Sequence, residues 1–210
     1  MKKLFFALMG MAFIAGNAMA QDYVKNIYGV RAGVNLNTMS GDFSAATQGT
    51  TSFHVGGQYQ RLLLSNRPLY LETGLFFTQR GCEVPKCDGS IKVRESQLQI
   101  PVMVNYHVRI GKNFKFIPAV GVYYGFGIGG KLKGINGSEA DINTYGSEGV
   151  LKRSDLGIRA AIGFTWKKYS LTFGYEWGLT NLAKENIQQI FNADSNFKNR
   201  AFTLSLGYNF

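Results

Sequence analysis

Residues 169–180 read YSLTFGYEWGLT, and every second position is apolar. Tyr169, Leu171, Phe173, Tyr175, Trp177 and Leu179 share one face, while Ser170, Thr172, Gly174, Glu176, Gly178 and Thr180 share the other. A period of two is the signature of a strand with one apolar and one polar side. The pattern returns at 156–166, where Leu156, Ile158, Ala160, Ile162, Phe164 and Trp166 alternate with smaller or polar residues. It returns again at 202–210 and at 28–37, and with more interruptions at 51–61, 69–80, 94–108 and 114–130.

These eight segments exceed the ~5–6 residues of an ordinary strand. They match the ~9–11 residues that a tilted strand needs to cross a bilayer. The expected fold is therefore all-β, an eight-stranded antiparallel up-and-down transmembrane β-barrel. The connections, 38–50, 62–68, 81–93, 109–113, 131–153, 167–168 and 181–198, alternate between long and short. Outer-membrane barrels alternate long external loops with tight periplasmic turns, which puts both termini in the periplasm. The chain ends on Phe210, with Tyr208, Leu206 and Leu204 stepping back by twos. Such a terminal aromatic is the signal read by the barrel-assembly machinery.

The alternation explains a mean hydropathy of only −0.07 in a chain that is 45% apolar. That content excludes a disordered polymer. Beyond the extreme N-terminus no apolar run reaches the ~18 residues of a transmembrane helix. The N-terminus itself reads as a signal peptide over residues 1–20: Lys2 and Lys3, an apolar stretch from Leu4 to Ala15, then Ala18-Met19-Ala20. Cleavage is expected before Gln21, leaving the barrel as the single domain 21–210, and no lipobox cysteine lies near the site. With 23 basic and 13 acidic residues the chain carries +10, which falls to +8 once Lys2 and Lys3 leave.

Several blocks also resemble a known family: GVRAGVNLNTMSGD (29–42), SFHVGGQY (52–59), LYLETGLFFTQRG (69–81), LQIPVMVNY (98–106) and FIPAVGVYYGF (116–126). In content, order and spacing they resemble the PorT-like outer-membrane β-barrels, similar in architecture to the small OmpX and OmpA barrels. The resemblance implies an eight-stranded barrel in a bacterial outer membrane and no particular reaction. The founding member's link to protein secretion comes with it as an option. Gln99 stands where the family often has Glu, and Pro118 adds a second strand proline, facing lipid.

An eight-stranded barrel is just wide enough for side chains to fill. The period turns Arg31, His54, Gln58, Glu72, Arg80, Gln97, Asn105, His107, Tyr123, Arg159 and Glu176 inward. If Lys167-Lys168 is a two-residue turn, Arg159 lies directly opposite Glu176. An interior ion cluster is expected there, with Arg31 and Glu72 as further candidate members. It serves either as a charged gate or as a plug that satisfies buried charge, and the cost of an unpaired buried ion favours the plug.

His54 and His107 fall toward opposite ends of a ~25 Å band, on the order of 20 Å apart, which excludes a dyad. Ser52 is the only serine near His54 on its strand, so no catalytic site, metal or cofactor is expected. Cys82 and Cys87 fall in the second external loop, in a compartment where disulfides persist, and a disulfide is expected in preference to a metal site. Arg80, Lys92, Arg94, Lys131, Lys133, Lys152, Arg153, Lys198 and Arg200 gather at external strand ends, where they fit anionic lipid headgroups or plain solvent. Nucleic acid is not an expected partner there. Ile187, Ile190 and Phe191 are spaced as on a short surface helix. The resulting expectation is a non-enzymatic outer-membrane barrel presenting four external loops to a partner the sequence does not name. A narrow porin-like channel or a component of an export apparatus is the alternative.

Overall fold

The computed structural model describes residues 23–40, 48–86, 89–133, 139–143, 145, 152–182 and 198–210. The signal-peptide residues 1–20, Cys87 and the 187–191 stretch lie outside them. In chain order the strands are β1 (Asn26–Ser40), β2 (Gln48–Leu64), β3 (Arg67–Lys86), β4 (Gly89–Tyr106), β5 (Val108–Ile110), β6 (Phe114–Lys133), β7 (Glu139–Asn143), β8 (Ser154–Trp166), β9 (Tyr169–Gly178) and β10 (Lys198–Asn209).

Each long strand pairs antiparallel with its neighbours, β4 pairs β6, and β1 pairs β10 from Gly29↔Asn209 to Ser40↔Lys198. The result is a closed eight-stranded antiparallel barrel. Closure leaves no wall strand with an open edge, which is what a sheet surrounded by lipid requires. The two short strands do not add staves. β5 continues beside β6 after β4 breaks at His107, and β7 pairs with the far end of β6. At the break the backbone N–H of His107 bonds Pro68 O, 2.9 Å, and Tyr106, which alternation turned outward, is buried.

Burial is inverted relative to a water-soluble protein. Among the described residues 23 buried side chains are polar or charged and 10 are apolar, Pro68 and Pro101 included, whereas Val30, Val34, Phe53, Leu75, Val122, Ile162, Phe173 and Leu204 stand exposed. An apolar surface of that extent is stable only against lipid. All eleven positions expected to face the interior are buried.

Three tight turns sit at one end. Leu64 pairs Arg67 around Ser65-Asn66, Gly111 takes φ 77° between β5 and β6, and Trp166 pairs Tyr169 around Lys167-Lys168. Lys167 itself adopts φ 55°, which a two-residue hairpin turn demands even where glycine is absent. The C-terminus joins this end, since Phe210 N–H donates to Tyr28 O, 2.9 Å, and Asn209 N–H to Lys168 O, 2.8 Å. Aromatic rings ring the rim: Trp166 and Tyr169 are 6.5 Å apart, Tyr169 and Tyr208 5.5 Å, Tyr28 and Tyr59 5.0 Å. Such a belt belongs at a membrane–water boundary.

One sequence expectation is corrected here. Residues 81–86 and 89–93 are not a loop, because β3 and β4 stay paired out to Lys86↔Gly89. Hydrophobic alternation reports only the part of a hairpin that touches lipid; the backbone ladder continues into water, where no apolar face is required.

Candidate functional site

Inward side chains stack in layers across the lumen. In the central layer β8 and β9 set Arg159 opposite Glu176, as a two-residue turn dictates, and Arg159 Nη1 donates to Glu176 Oε1 at 2.9 Å. Arg80 of β3 reaches across and donates to Oε2 of the same carboxylate, and Gln99 Nε2 donates to Oε1 at 3.2 Å. The Arg80 guanidinium also lies over the Tyr123 ring, 5.1 Å from its centroid, and 4.0 Å from Asp155 Oδ2. Arg80 is thus turned inward rather than toward headgroups, because it shares the parity of Glu72 and Thr78 along β3.

Arg31 and Glu72 form a second cluster. Glu72 accepts from Arg31 Nη1 at 3.1 Å, Gln60 Nε2 at 3.0 Å and Asn105 Nδ2 at 2.6 Å. No direct contact joins this carboxylate to Arg159 or Glu176 among the described residues. Removing two opposite charges from water is offset only when close geometry and extra donors accompany the pair, and both clusters have them.

Toward the loop end, Glu95 accepts from Tyr145 Oη at 2.8 Å and Asn199 Nδ2 at 3.1 Å, and Asn199 also donates to Asp155 Oδ2 at 3.0 Å. Tyr145 fills the space that a side chain at Gly127 would take, since a Cβ there would meet its ring at 2.3 Å. Tyr145 and Leu182 are both buried. The remaining basic residues at this end divide: Arg94, Lys152, Arg153 and Arg200 are exposed, and Arg153 lies 5.9 Å from the Tyr145 ring centroid.

His54 has partners the sequence did not reveal. Nδ1 lies 2.6 Å from Asn35 Oδ1 and Nε2 lies 2.8 Å from Ser205 Oγ. Nucleophile, base and orienting amide are therefore in line, the relation a hydrolase needs. Ser205, however, is 1% exposed and does not line the cavity described below. The arrangement holds a histidine inside a wall of strands. Ser52, the serine on His54's own strand, instead binds Gln79 O and receives Asn37 Nδ2 at 2.7 Å. His107 lies elsewhere, stacked on Tyr70 with centroids 4.1 Å apart. Among the described residues no group of His, Cys, Asp and Glu could hold a metal ion.

At the short-turn end the filling is incomplete. A cavity of about 140 Å³ lies beneath Arg31 and Glu72, bounded by Lys115, His107, Ser170 and Phe210.

On the lipid side, Leu204, Leu206 and Phe210 are exposed, while Tyr208 packs edge-on against Tyr169 and Phe210, both at 5.5 Å. Cys82 lies on β3 opposite Val93, not in a loop, and its expected partner Cys87 is outside the described residues.

The sequence profile described as the outer membrane protein beta-barrel domain matches residues 19–184. Among solved structures the chain is similar to Ail, the attachment invasion locus protein of Yersinia pestis, crystallised with the heparin analogue sucrose octasulfate. Identity is 16%, coverage 89% of this chain and 100% of that one, and the TM-score 0.46. It is similar also to OprG of Pseudomonas aeruginosa, at 13% identity over 92% and 99% of the two chains with a TM-score of 0.49. Neisserial surface protein A matches at 11% identity over 87% and 97%, again with a TM-score of 0.49. No curated protein matches the chain.

Proposed function

The chain belongs to the outer membrane protein β-barrel domain family, and from that premise we propose that it is a non-enzymatic surface protein whose lumen is a side-chain plug and whose external loops meet its partner. One observation carries the reading: Glu176 is held by Arg80 and Arg159 from opposite sides of the lumen, so the barrel's mid-section is occupied by paired charge. Scaffold and chemistry are then separate, and recognition falls to the loops, where a rigid wall leaves sequence free to vary.

The finer elements of the proposal follow from the same frame. Residues 1–20 direct export and are removed, and the rim of short turns with both termini faces the periplasm. Leu204, Leu206, Tyr208 and Phe210 are read by the barrel-assembly machinery. Exposed Arg94, Lys152, Arg153 and Arg200 contact anionic headgroups of the outer leaflet. Cys82 and Cys87 form a disulfide. The PorT-like resemblance, narrower than the family matched, belongs to this proposal, as does a role beside an export apparatus if partners of that kind bind the loops.

Photo-crosslinkers placed in the loops and, separately, in the Lys167-Lys168 turn of cells carrying the intact protein test it. Specific adducts from the loops to a surface molecule support the proposal. Specific adducts confined to the turn overturn it.

A further inference from the structure

The cavity under the Arg31–Glu72 pair is lined by polar atoms that nothing in the barrel satisfies. Arg31 Nε, both ring nitrogens of His107 and Ser170 Oγ are buried without a hydrogen-bond partner. So are the acceptors Gln58 Oε1, Gln60 Oε1 and Asn105 Oδ1. Buried polar atoms in folded proteins are nearly always paired, so a cluster of orphans facing one space marks that space as the place of their partner. Every side chain in the cluster is at most 8% exposed.

Charge decides what the partner is. Glu72, the cavity's acid, already receives three donors. Arg159 is committed to Glu176. Arg31 keeps an unused N–H, and half-buried Lys115 has no ion pair among the described residues. Lys167 and Lys168 also line the cavity at its rim, their ammonium groups over the Trp166 and Tyr208 rings at 5.3 and 5.7 Å. The unspent charge inside is therefore positive, while the unused amide oxygens ask for a proton donor.

We infer that this cavity is a binding site for a small oxyanion that also carries a hydroxyl, of the hydrogen phosphate kind, entering from the short-turn end. Arg31, Lys115, His107 and Ser170 donate to its oxygens, and its P–OH donates to an amide oxygen of Gln60 or Asn105. The volume, about 140 Å³, exceeds many times the ~10–15 Å³ needed by one water, so an ion and its remaining hydration fit. The closed sheet walls the site from lipid, so the ligand is a free ion rather than a headgroup. Beneath it, Tyr23–Lys25 crosses the rim, with Tyr70 Oη donating to Val24 O at 3.1 Å and Arg109 5.7 Å from the Tyr23 ring centroid. This inference goes beyond the loop-centred proposal and is independent of it.

Titration calorimetry on the full-length barrel folded in neutral detergent, with inorganic phosphate and then sulfate as probes, tests it. Phosphate is expected to bind the wild-type protein, and at least tenfold more weakly the Lys115→Gln variant. The Lys112→Gln variant, altered on the exposed turn outside the cavity, is expected to bind as the wild type does. Sulfate, which has no proton to donate at neutral pH, is expected to bind more weakly than phosphate. No heat of phosphate binding, as for a cavity holding water only, overturns the inference. So does equal binding by wild type and Lys115→Gln, an equal loss in both variants, or sulfate binding as tightly as phosphate.

Discussion

His54 and Ser205, 151 positions apart in the chain, meet in the lumen with Nε2 and Oγ 2.8 Å apart. The contact is made across Gly33, which is in register with His54 on one side and with Ser205 on the other. A Cβ at Gly33 would fall 2.1 Å from Leu204 O and 2.7 Å from His54 Cε1, and the first of these is backbone that cannot swing aside.

Gly33→Ala should therefore destabilise the seam where β1 closes on β10, by about 1–3 kcal/mol as for other overpacked interiors. Gly129→Ala, where a Cβ meets nothing within 4 Å, is the control and should be neutral or slightly stabilising. Urea unfolding of the refolded barrels measures both. Equal midpoints for the two variants would show that the seam is loose.

Glu176 pairs with two buried guanidiniums at once. Glu176→Gln leaves Arg159 without a carboxylate partner and Arg80 with only Asp155, 4.0 Å away, and should cost about 3–5 kcal/mol, the range for breaking a buried pair. Adding Arg159→Met removes one of the stranded charges and should restore part of the loss. The same unfolding measurement gives the answer, and strictly additive losses would contradict a shared carboxylate.

Phe210 is 71% exposed and lies just past the end of β10. It therefore contributes little to the folded wall, although its backbone N–H holds Tyr28 O. As an assembly signal, Phe210→Ala should lower the amount of protein recovered in the outer membrane several-fold. Its unfolding free energy in detergent should change by no more than about 0.5 kcal/mol, the usual span for an exposed site. Undiminished recovery from cells would remove the residue from that role.

Parity was legible in the sequence and register mostly was not. Alternation alone tells on which side of the wall Arg31, Glu72, Arg80 and Glu176 stand, because a strand's side chains can only point in or out. It also fixes the Arg159↔Glu176 pairing, since the tight turn at Lys167-Lys168 leaves one register for that hairpin. Which inward side chains meet across the lumen depends on the stagger accumulated around all eight strands. Arg80 reaching Glu176, and Ser205 reaching His54, come from that stagger and leave no local trace. The hairpin continuing to Lys86↔Gly89 was hidden for another reason: beyond the lipid no apolar face records the pairing. The cavity was hidden too, since it is a failure of filling, and composition at Lys115, His107 and Ser170 looks like any other lumen position.

The account rests on a lumen closed at its mid-section by packed, ion-paired side chains rather than open as a pore. Conductance across a planar bilayer containing the purified barrel tests that directly. The plug formed by Arg80, Arg159 and Glu176 predicts no steady openings in the wild-type protein. Sustained single-channel openings, altered in size by Arg159→Ala, would contradict it and establish a narrow channel instead.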